Sequence, residues 1–225
     1  NLMKHDINSP KHNDNRNYDY SSIETEERQE YSKIIALVSP NSSVIDLGCG
    51  NGSLLKILKD NKNIQEYGIE LSESGVEICK RKGLNVIRGS IDTKLNFEEN
   101  TFDFAICNVT IQMVNYPEVL LNEMKRISKN QIISFPNFGF YKNRFDLLVN
   151  GRMPRPMLFG YTWYSTGHIH QLSINDFYEI VGQIKGLKIV QVVLEKSANP
   201  IKNYFLNSFP NLFQVLPIFL LEKSK

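Results

Sequence analysis

The feature that most constrains the fold is an apolar run, residues 43–47, that leads into three alternating glycines. The run predicts a buried β-strand, and the apolar spacing in residues 53–60 predicts a helix directly after the glycines. Gly48, Gly50 and Gly52 allow a tight turn and the close approach of a ligand to main-chain N–H groups. A strand, a glycine turn and a helix in this order indicate the first unit of a parallel α/β sheet.

An acidic residue, Glu70, ends a second apolar segment. The carboxyl ends of neighbouring parallel strands meet at one edge of a sheet, which is where such sheets bind ligands. A carboxylate at that edge can accept hydrogen bonds from both hydroxyls of a ribose. The glycine turn and Glu70 together therefore predict a nucleoside-binding site.

The alternation of strands and helices continues along the chain, with one break at residues 138–172, which are aromatic-rich and lack a helical period. Short links between the elements predict a Rossmann-like α/β fold. Its seven-stranded sheet is mostly parallel, has helices on both faces and ends in a late antiparallel hairpin at its edge. The predicted strands are 43–47, 66–70, 84–88, 102–107, 131–135, 187–195 and 213–221. The predicted helices are 24–38, 53–60, one capped by Ser72, 117–128 and one capped by Ser173, with a loop before the last strand.

Composition indicates one soluble domain of ordinary character. The chain has 225 residues, 41% of them hydrophobic, and a formal net charge of +2, which does not favour nucleic acid or an acidic membrane surface. Residues 1–20 are polar and predict a flexible tail or lid, followed by a single domain over 21–225. The cysteines are widely spaced, and no apolar run suits a signal peptide or a membrane span, so we expect a cytoplasmic protein.

The glycine spacing distinguishes between nucleoside cofactors. A dinucleotide fingerprint reads G-x-G-x-x-G, whereas this chain reads D-L-G-C-G-N-G from Asp46. That form resembles motif I of class I S-adenosylmethionine-dependent methyltransferases and disfavours a nicotinamide dehydrogenase. The resemblance implies S-adenosylmethionine as cofactor and S-adenosylhomocysteine as product. It places Asp46 near the ammonium of the cofactor, in direct contact or through water.

Further motifs resemble the MetW family within that class. They are S-F-P-N-F-G at 134–139, G-R-M-P at 151–154, an aromatic segment ending in Trp-Tyr at 161–164 and I-H at 169–170. The resemblance covers most of residues 40–195 and implies the class I methyltransferase fold. It implies the activity less directly, because MetW is associated with methionine biosynthesis as a partner of homoserine acyltransferase.

The residues predicted to bind the cofactor follow the ends of the first four strands. Either Ser90 or Asp92 is the adenine contact, since an acid commonly follows the glycine here in the class, and Asp92 has the alternative of a turn aspartate. Asn108 and Gln112 suit the methionine part and the transferred methyl, or are polar residues of a half-buried helix start. The full set is Asp46, Gly48, Gly50, Gly52, Glu70, Leu71, Ser90, Ile91, Asp92, Asn108 and Gln112.

The segment 138–172 predicts a cap over the cofactor cleft that binds an anionic acceptor. It carries Lys142, Arg144, Arg152 and Arg155 against one acid, together with an aromatic lining. A guanidinium pairs bidentately with a carboxylate or phosphate, although such cations can equally be solvated loop charges. The predicted acceptor-binding residues are Asn137, Arg144, Arg152, Tyr161, Trp163 and Tyr164.

Two histidines in the same segment are candidates for a general base. His168 and His170 alternate along an extended stretch and so lie on one side of it. Histidine exchanges protons near neutral pH, and the family motif favours His170, while Arg152 completes the predicted catalytic set. No third ligand accompanies the pair, so we predict no metal.

Two functions of different classes follow. The first is methyl transfer to an oxygen of a small anionic acceptor, whether carboxylate, phosphate-type or sugar oxygen, including a precursor of a surface polysaccharide. The alternative is a regulatory partner of homoserine acyltransferase that keeps the cofactor fold. No basic stripe suits nucleic acid.

Overall fold

The computed structural model describes residues 27–154, 163 and 166–224. The predicted tail or lid, 1–20, lies outside these residues. Among the described residues, no helix is both long and apolar enough to cross a membrane. The strands are β1 (Ser43–Leu47), β2 (Gln65–Glu70), β3 (Val86–Arg88), β4 (Phe102–Asn108), β5 (Ser128–Ser134), β6 (Leu187–Val193) and β7 (Ile218–Lys223). The helices are α1 (Tyr31–Leu37), α2 (Ser53–Lys62), α3 (Glu73–Arg81), α4 (Pro117–Ile127), α5 (Tyr141–Asn150), α6 (Ile174–Gln183), α7 (Pro200–Ser208) and α8 (Pro210–Phe213), with a 3-10 turn at Ile111–Met113.

The strands form one seven-stranded sheet in the order β3-β2-β1-β4-β5-β7-β6. The first five strands are parallel, and β7 pairs antiparallel with both β5 and β6. The predicted α/β fold with a late antiparallel hairpin is therefore confirmed. Its last strand lies inside the sheet, between β5 and β6, and β6 forms the edge.

Capping residues explain where several helices begin. The Ser72 side chain accepts from the Gly75 N–H at the start of α3, and Ser173 forms a capping box with Asp176 at the start of α6. Pro117 occupies the first turn of α4, where its missing N–H costs nothing. These sequence-based helix starts are confirmed.

Apolar side chains form a cluster on each face of the sheet. Along β1, Ile45 and Leu47 join one cluster and Val44 joins the other, as the alternation of a strand requires. In the first cluster the rings of Phe135, just after β5, and Phe219, in β7, stack with centroids 5.6 Å apart. Burial on both faces explains the nearly continuous apolar character of the central strands.

Two segments differ from the prediction. Residues 138–172 contain α5, which was not expected, because its large apolar residues Phe145 and Leu148 are exposed and do not mark a buried face. The predicted loop before the last strand contains α7 and α8. The sequence does indicate the start of α7, since Asn199 is a capping residue and Pro200 follows it. In the structure the Asn199 side chain accepts from the first main-chain N–H groups of this helix.

Several predicted boundaries also move. The first described helix begins at Tyr31 rather than near residue 24, and β3 begins at Val86 rather than Leu84. The last strand begins at Ile218, five residues later than predicted, because Phe213 ends α8 and Pro217 offers no N–H for sheet pairing.

The late hairpin brings further elements to the edge where the parallel strands end. Ile218 pairs with Ser134 at the carboxyl end of β5 and with Val193 at the end of β6. The connection that contains α7 and α8 therefore leaves the sheet at the same edge as α5. This edge also carries the glycine turn.

Candidate functional site

The glycine turn at the end of β1 has a backbone that other residues would strain. Gly48, Gly50 and Gly52 have φ values of 85°, 56° and 70°, in the left-handed region. A Cβ on Gly48 would lie 2.6 Å from Thr110 Cγ2, and one on Gly52 would lie 2.6 Å from Leu84 Cδ1. Conformation and space together require glycine at these two positions.

The Glu70 carboxylate is buried at the end of β2 and joins two elements of the site. Its Oε2 accepts from the Gly50 N–H at 2.8 Å, and its Oε1 accepts from the Ser72 N–H at 2.8 Å. These bonds hold the carboxylate beside the glycine turn, at the ligand edge of the sheet. The next residue, Leu71, is exposed.

Asp46 is buried beneath the same turn and is only 3% exposed. Its Oδ1 has no hydrogen-bond partner among the residues described. Burial first, and then the charge of Glu70, raise the pKa of Asp46 from 3.8 to about 7. A buried carboxylate oxygen without a donor is costly, and a cationic group would satisfy it. The site therefore fits the ammonium of S-adenosylmethionine.

Asp92 binds main-chain groups of a neighbouring loop. Its Oδ2 accepts from the N–H groups of Asn115, at 2.7 Å, and Tyr116, and its Oδ1 accepts from the Ser90 hydroxyl. Partial burial acts to raise the pKa of Asp92, but these hydrogen bonds outweigh it and lower that pKa. This arrangement favours the turn-aspartate alternative. The intervening Ile91 is buried in the core.

The end of β4 carries a hydrogen-bonded group that the sequence reasoning partly missed. The Asn108 Oδ1 accepts from the Ser134 hydroxyl at 2.5 Å, and its Nδ2 donates to Glu30 Oε1 at 3.4 Å. Glu30 is buried and precedes α1, and no local motif marked it. Ser134 begins the S-F-P-N-F-G motif, which was the available signal for its place at this edge.

Gln112 and His170 are brought together by the main chain. The Gln112 carbonyl oxygen accepts from the N–H groups of Ile169, at 2.9 Å, and His170, at 3.0 Å. The Gln112 side chain donates to the Val109 carbonyl at 2.8 Å. The remaining side-chain atoms, Gln112 Oε1 and His170 Nε2, are buried without a partner in the described part of the chain. His168 is half-buried, and its N–H donates to Thr166 Oγ1.

The geometry does not support the predicted acceptor contact of Asn137. Its Nδ2 donates to the carbonyls of Asn211 and Gln214, and its Oδ1 accepts from the N–H groups of Gly139 and Ile174. The side chain is fully buried, and these four bonds use its hydrogen-bonding capacity. Asn137 therefore fixes the connection between β5, α6 and the segment before β7.

The other predicted acceptor residues are not gathered into one pocket by the described residues. Arg144 and Arg152 are exposed, and the Arg144 Nε donates to the Gly139 carbonyl at 2.6 Å. Trp163 is 71% exposed. Tyr161 and Tyr164 lie outside the described residues, as does Arg155. Within the same limits, no group of three or more His, Cys, Asp or Glu is arranged to hold a metal.

Comparison with known proteins identifies the family. Residues 28–221 match the family described as "Methionine biosynthesis protein MetW". The chain belongs to the MetW family. A relative from Rhodopirellula baltica, "Bifunctional methionine biosynthesis protein MetXA/MetW", is 33% identical over 67% of this chain and 26% of its own length. An uncharacterized protein of Methanocaldococcus jannaschii is 29% identical over 80% of this chain and 65% of its own.

The chain therefore spans 26% and 65% of the lengths of these two relatives. Solved structures share its fold. An S-adenosylmethionine-dependent methyltransferase from Mesorhizobium loti has a TM-score of 0.65 at 16% identity and covers 89% of this MetW-family chain and 100% of its own. Magnesium protoporphyrin IX methyltransferase from Synechocystis, with bound S-adenosylhomocysteine, has a TM-score of 0.61 at 18% identity, covering 87% and 83%. The predicted class I methyltransferase fold is confirmed.

Proposed function

We propose that this MetW-family protein is an S-adenosylmethionine-dependent methyltransferase that acts on a small acceptor. The observation that carries the proposal is the buried Asp46 carboxylate, whose Oδ1 lacks a donor directly beneath the glycine turn. A strand–turn connection with no ligand to bind would gain nothing from an oxygen in that state. The fold shared with methyltransferases of known structure supports the same function.

Each part of the cofactor is assigned to residues whose chemistry matches it. Asp46 holds the ammonium, main-chain N–H groups of the glycine turn hold the methionine part, and Glu70 holds the ribose. Ser90 and Ile91 lie against the adenine, and Asp92 orders the neighbouring loop at Asn115 and Tyr116. When bound, S-adenosylmethionine supplies a methyl group that its sulfonium has already activated.

The acceptor is small and anionic in this proposal. Lys142, Arg144 and Arg152 give α5 and the residues after it an excess of positive charge over Asp146. Arginine recognises carboxylate and phosphate groups bidentately, so it would orient such an acceptor beside the methyl group. His170 serves as the base for an oxygen that carries a proton, with His168 as the alternative. Sugar oxygens, such as those of surface-polysaccharide precursors, fall in this class.

Calorimetry with the purified full chain tests cofactor binding. We expect S-adenosylmethionine and S-adenosylhomocysteine to bind, and Asp46→Asn to weaken both by about 10- to 100-fold, as for loss of a charged hydrogen bond. Asp60→Asn is the matched control, because Asp60 lies exposed on α2 and pairs only locally with Lys56. Formation of S-adenosylhomocysteine with pools of small acidic metabolites then tests turnover. Absence of binding by the unaltered protein would overturn the proposal.

A second candidate function is favoured by an exposed apolar surface. On α5, Phe145 and Leu148 are exposed, the latter by 84%, and on α7 Ile201 and Tyr204 are exposed. A groove of about 380 Å³ lies beside them, lined by Tyr141, Lys202, Phe205, Leu206 and Phe213. Contiguous exposed apolar side chains commonly mark a protein interface. The Rhodopirellula baltica relative is described as a bifunctional MetXA/MetW protein, which joins the two in one chain. The candidate is therefore a regulatory partner of homoserine acyltransferase.

Co-purification with a homoserine acyltransferase tests this second function. We expect the two chains to elute together in size-exclusion chromatography, and Leu148→Ser with Phe145→Ser to abolish the complex. Ile87→Ser is the control, because Ile87 is an exposed apolar residue on β3, at the far side of the sheet from α5. Separate elution of the unaltered chains would remove this candidate while leaving the methyltransferase proposal intact.

A further inference from the structure

Unpartnered polar atoms in the interior include two that belong to neighbouring segments, one of which follows β4. In the part of the chain that the structure describes, five buried side-chain atoms have no hydrogen-bond partner. Leaving such an atom unpaired costs free energy, because the atom has lost its hydrogen bonds to water. Two of them, Gln112 Oε1 and His170 Nε2, belong to segments that are already joined by two main-chain hydrogen bonds. The others are Asp46 Oδ1, Gln131 Oε1 and Asn143 Oδ1.

We propose that Gln112 and His170 form the subsite for the reacting group of the acceptor, and that this group is a hydroxyl or an amine. The inference rests on the proposed methyltransferase function and narrows its acceptor class. It assigns the negative charge of the acceptor to another part of the molecule. A carboxylate or phosphate oxygen is then a recognition group, not the atom that is methylated.

The orientation of the Gln112 amide determines which chemical groups can bind beside it. Its Nε2 donates to the Val109 carbonyl at 2.8 Å, which fixes the other end of the amide as a carbonyl oxygen. Gln112 is only 1% exposed, so bulk solvent does not supply the missing donor. A carbonyl oxygen can only accept, so it takes an O–H or N–H group and repels the oxygens of a carboxylate.

Gln112 and His170 come from the two parts of the chain that were predicted to bind the cofactor and the acceptor. Gln112 lies in the 3-10 turn that directly follows β4, at the edge where sheets of this type bind ligands. His170 belongs to the segment 138–172 that carries the predicted acceptor residues. The pair thus spans the cofactor side and the acceptor side. A primary amine or a pair of neighbouring hydroxyls provides a hydrogen for each of the two atoms.

The proton balance follows from the same pair. The acceptor oxygen or nitrogen forms a bond to the methyl carbon, and the bond from that carbon to sulfur breaks with its electron pair moving to sulfur. The proton released from the acceptor moves to His170 Nε2, and Gln112 keeps the acceptor oriented. A carboxylate nucleophile has no such proton, so His170 would have no proton to accept.

The identity of the methylated product gives the first test. The full chain is incubated with S-adenosylmethionine labelled with ¹³C in the methyl group and with a small-molecule extract of bacterial cells. The ¹³C chemical shift distinguishes a methyl ether or methylamine from a methyl ester, and phosphorus coupling reveals a methyl phosphate. An ether or an amine is expected, whereas a methyl ester or a phosphate ester would overturn the inference.

Fragment binding gives a second test that does not depend on turnover. The full chain loaded with S-adenosylhomocysteine is titrated with glycerol, ethanolamine, acetate or inorganic phosphate, and the side-chain NMR signals of Gln112 and His170 are followed. We expect glycerol or ethanolamine to shift both signals and acetate or phosphate to leave the Gln112 signal unchanged. Equal or larger shifts with acetate would contradict the inference. Shifts without any turnover would retain the subsite and overturn the proposed enzyme function instead.

Two buried glutamines provide matched variants. Gln112→Met removes the carbonyl, and Gln131→Met does the same in β5, where the amide contacts Ser128 at the opposite end of the strand from the ligand edge. Gln131 is also 1% exposed and also has an unpartnered Oε1. Gln112→Met should abolish the fragment-induced shift of His170 and lower kcat/KM for the identified acceptor about tenfold. Equal losses in both variants would reduce Gln112 to a packing role.

Discussion

The Glu70 carboxylate accepts a hydrogen bond from the main-chain N–H of Gly50, at 2.8 Å, between the ends of two neighbouring strands. The same carboxylate accepts from the Ser72 N–H, at the cap of α3. One acidic side chain therefore orders the glycine turn and the following helix start. The turn conformation depends on a residue twenty positions further along the chain.

Glu70→Gln should weaken cofactor binding and lower the free energy of unfolding, because it removes support from the glycine turn. The amide keeps one acceptor oxygen but presents an NH₂ group to one of the two main-chain N–H groups, so at least one of these bonds is lost. We expect a loss of about 1–3 kcal/mol in unfolding free energy and at least a tenfold weaker Kd for S-adenosylhomocysteine. Urea unfolding and calorimetry measure the two effects. Glu73→Gln, on the exposed side of α3, should leave both quantities unchanged.

Asp46→Asn should stabilise the ligand-free protein at neutral and higher pH. The folded protein binds a proton at Asp46 up to about pH 7, whereas the unfolded chain releases it near its ordinary value of 3.8. Stability therefore falls as the pH rises through that window, by at most about 4 kcal/mol. Asparagine carries no charge, so its curve lacks this fall. Urea unfolding at pH 5 and pH 8 gives the comparison, and a parallel pH dependence in both proteins would refute the assignment.

Binding of S-adenosylmethionine near pH 7 should release protons to the buffer. A cation beside Asp46 favours the carboxylate, so its pKa falls from about 7 on binding. Calorimetry in phosphate and in Tris, which differ in ionisation enthalpy, reports the number of protons released. Asp46→Asn should remove the difference between the buffers. Proton uptake by the unaltered protein would contradict an ammonium at this position.

The parts of the fold that were predictable have local signals. A few neighbouring residues are enough to indicate the glycine turn, the Ser72 and Ser173 caps and each apolar strand. The sheet follows from the order of these elements. Helix α5 lacked such a signal, because Leu148 faces solvent and breaks the expected apolar face. With Phe145 and Leu148 exposed, the segment lacks the one-sided apolar pattern from which a buried helix is predicted.

The site was predictable only where a motif carried it. Asp46 lies in such a motif and Glu70 ends the next predicted strand, whereas Glu30 reaches Asn108 across 78 positions and no pattern marks that contact. Asn137 belongs to a family motif, but its neighbours in space, Asn211 and Gln214, use its hydrogen bonds for packing. A motif fixes which residue is present, and only the tertiary contacts decide what its side chain does.

The backbone of Val109 leads to a prediction about strain. Val109 has a φ of 53°, a conformation that β-branched residues rarely adopt. Its N–H donates to the Ser134 carbonyl at 3.0 Å, and its own carbonyl accepts from Gln112 Nε2 at 2.8 Å. Asparagine tolerates this region, so Val109→Asn should raise the unfolding free energy by about 0.5–1 kcal/mol. Urea unfolding measures it.

Asn100 provides the reciprocal control, because it is an asparagine with a φ of 56°. Asn100→Val introduces the same strain and should lower the unfolding free energy by about 1–2 kcal/mol. Strain at a functional site persists when the surrounding contacts hold it. Here it sets the carbonyl that orients the Gln112 amide, and asparagine keeps this conformation, so Val109→Asn should stabilise the protein and leave methyl transfer unchanged. Slower methyl transfer in the stabilised variant would show that the Val109 side chain, and not only its backbone conformation, positions the Gln112 amide.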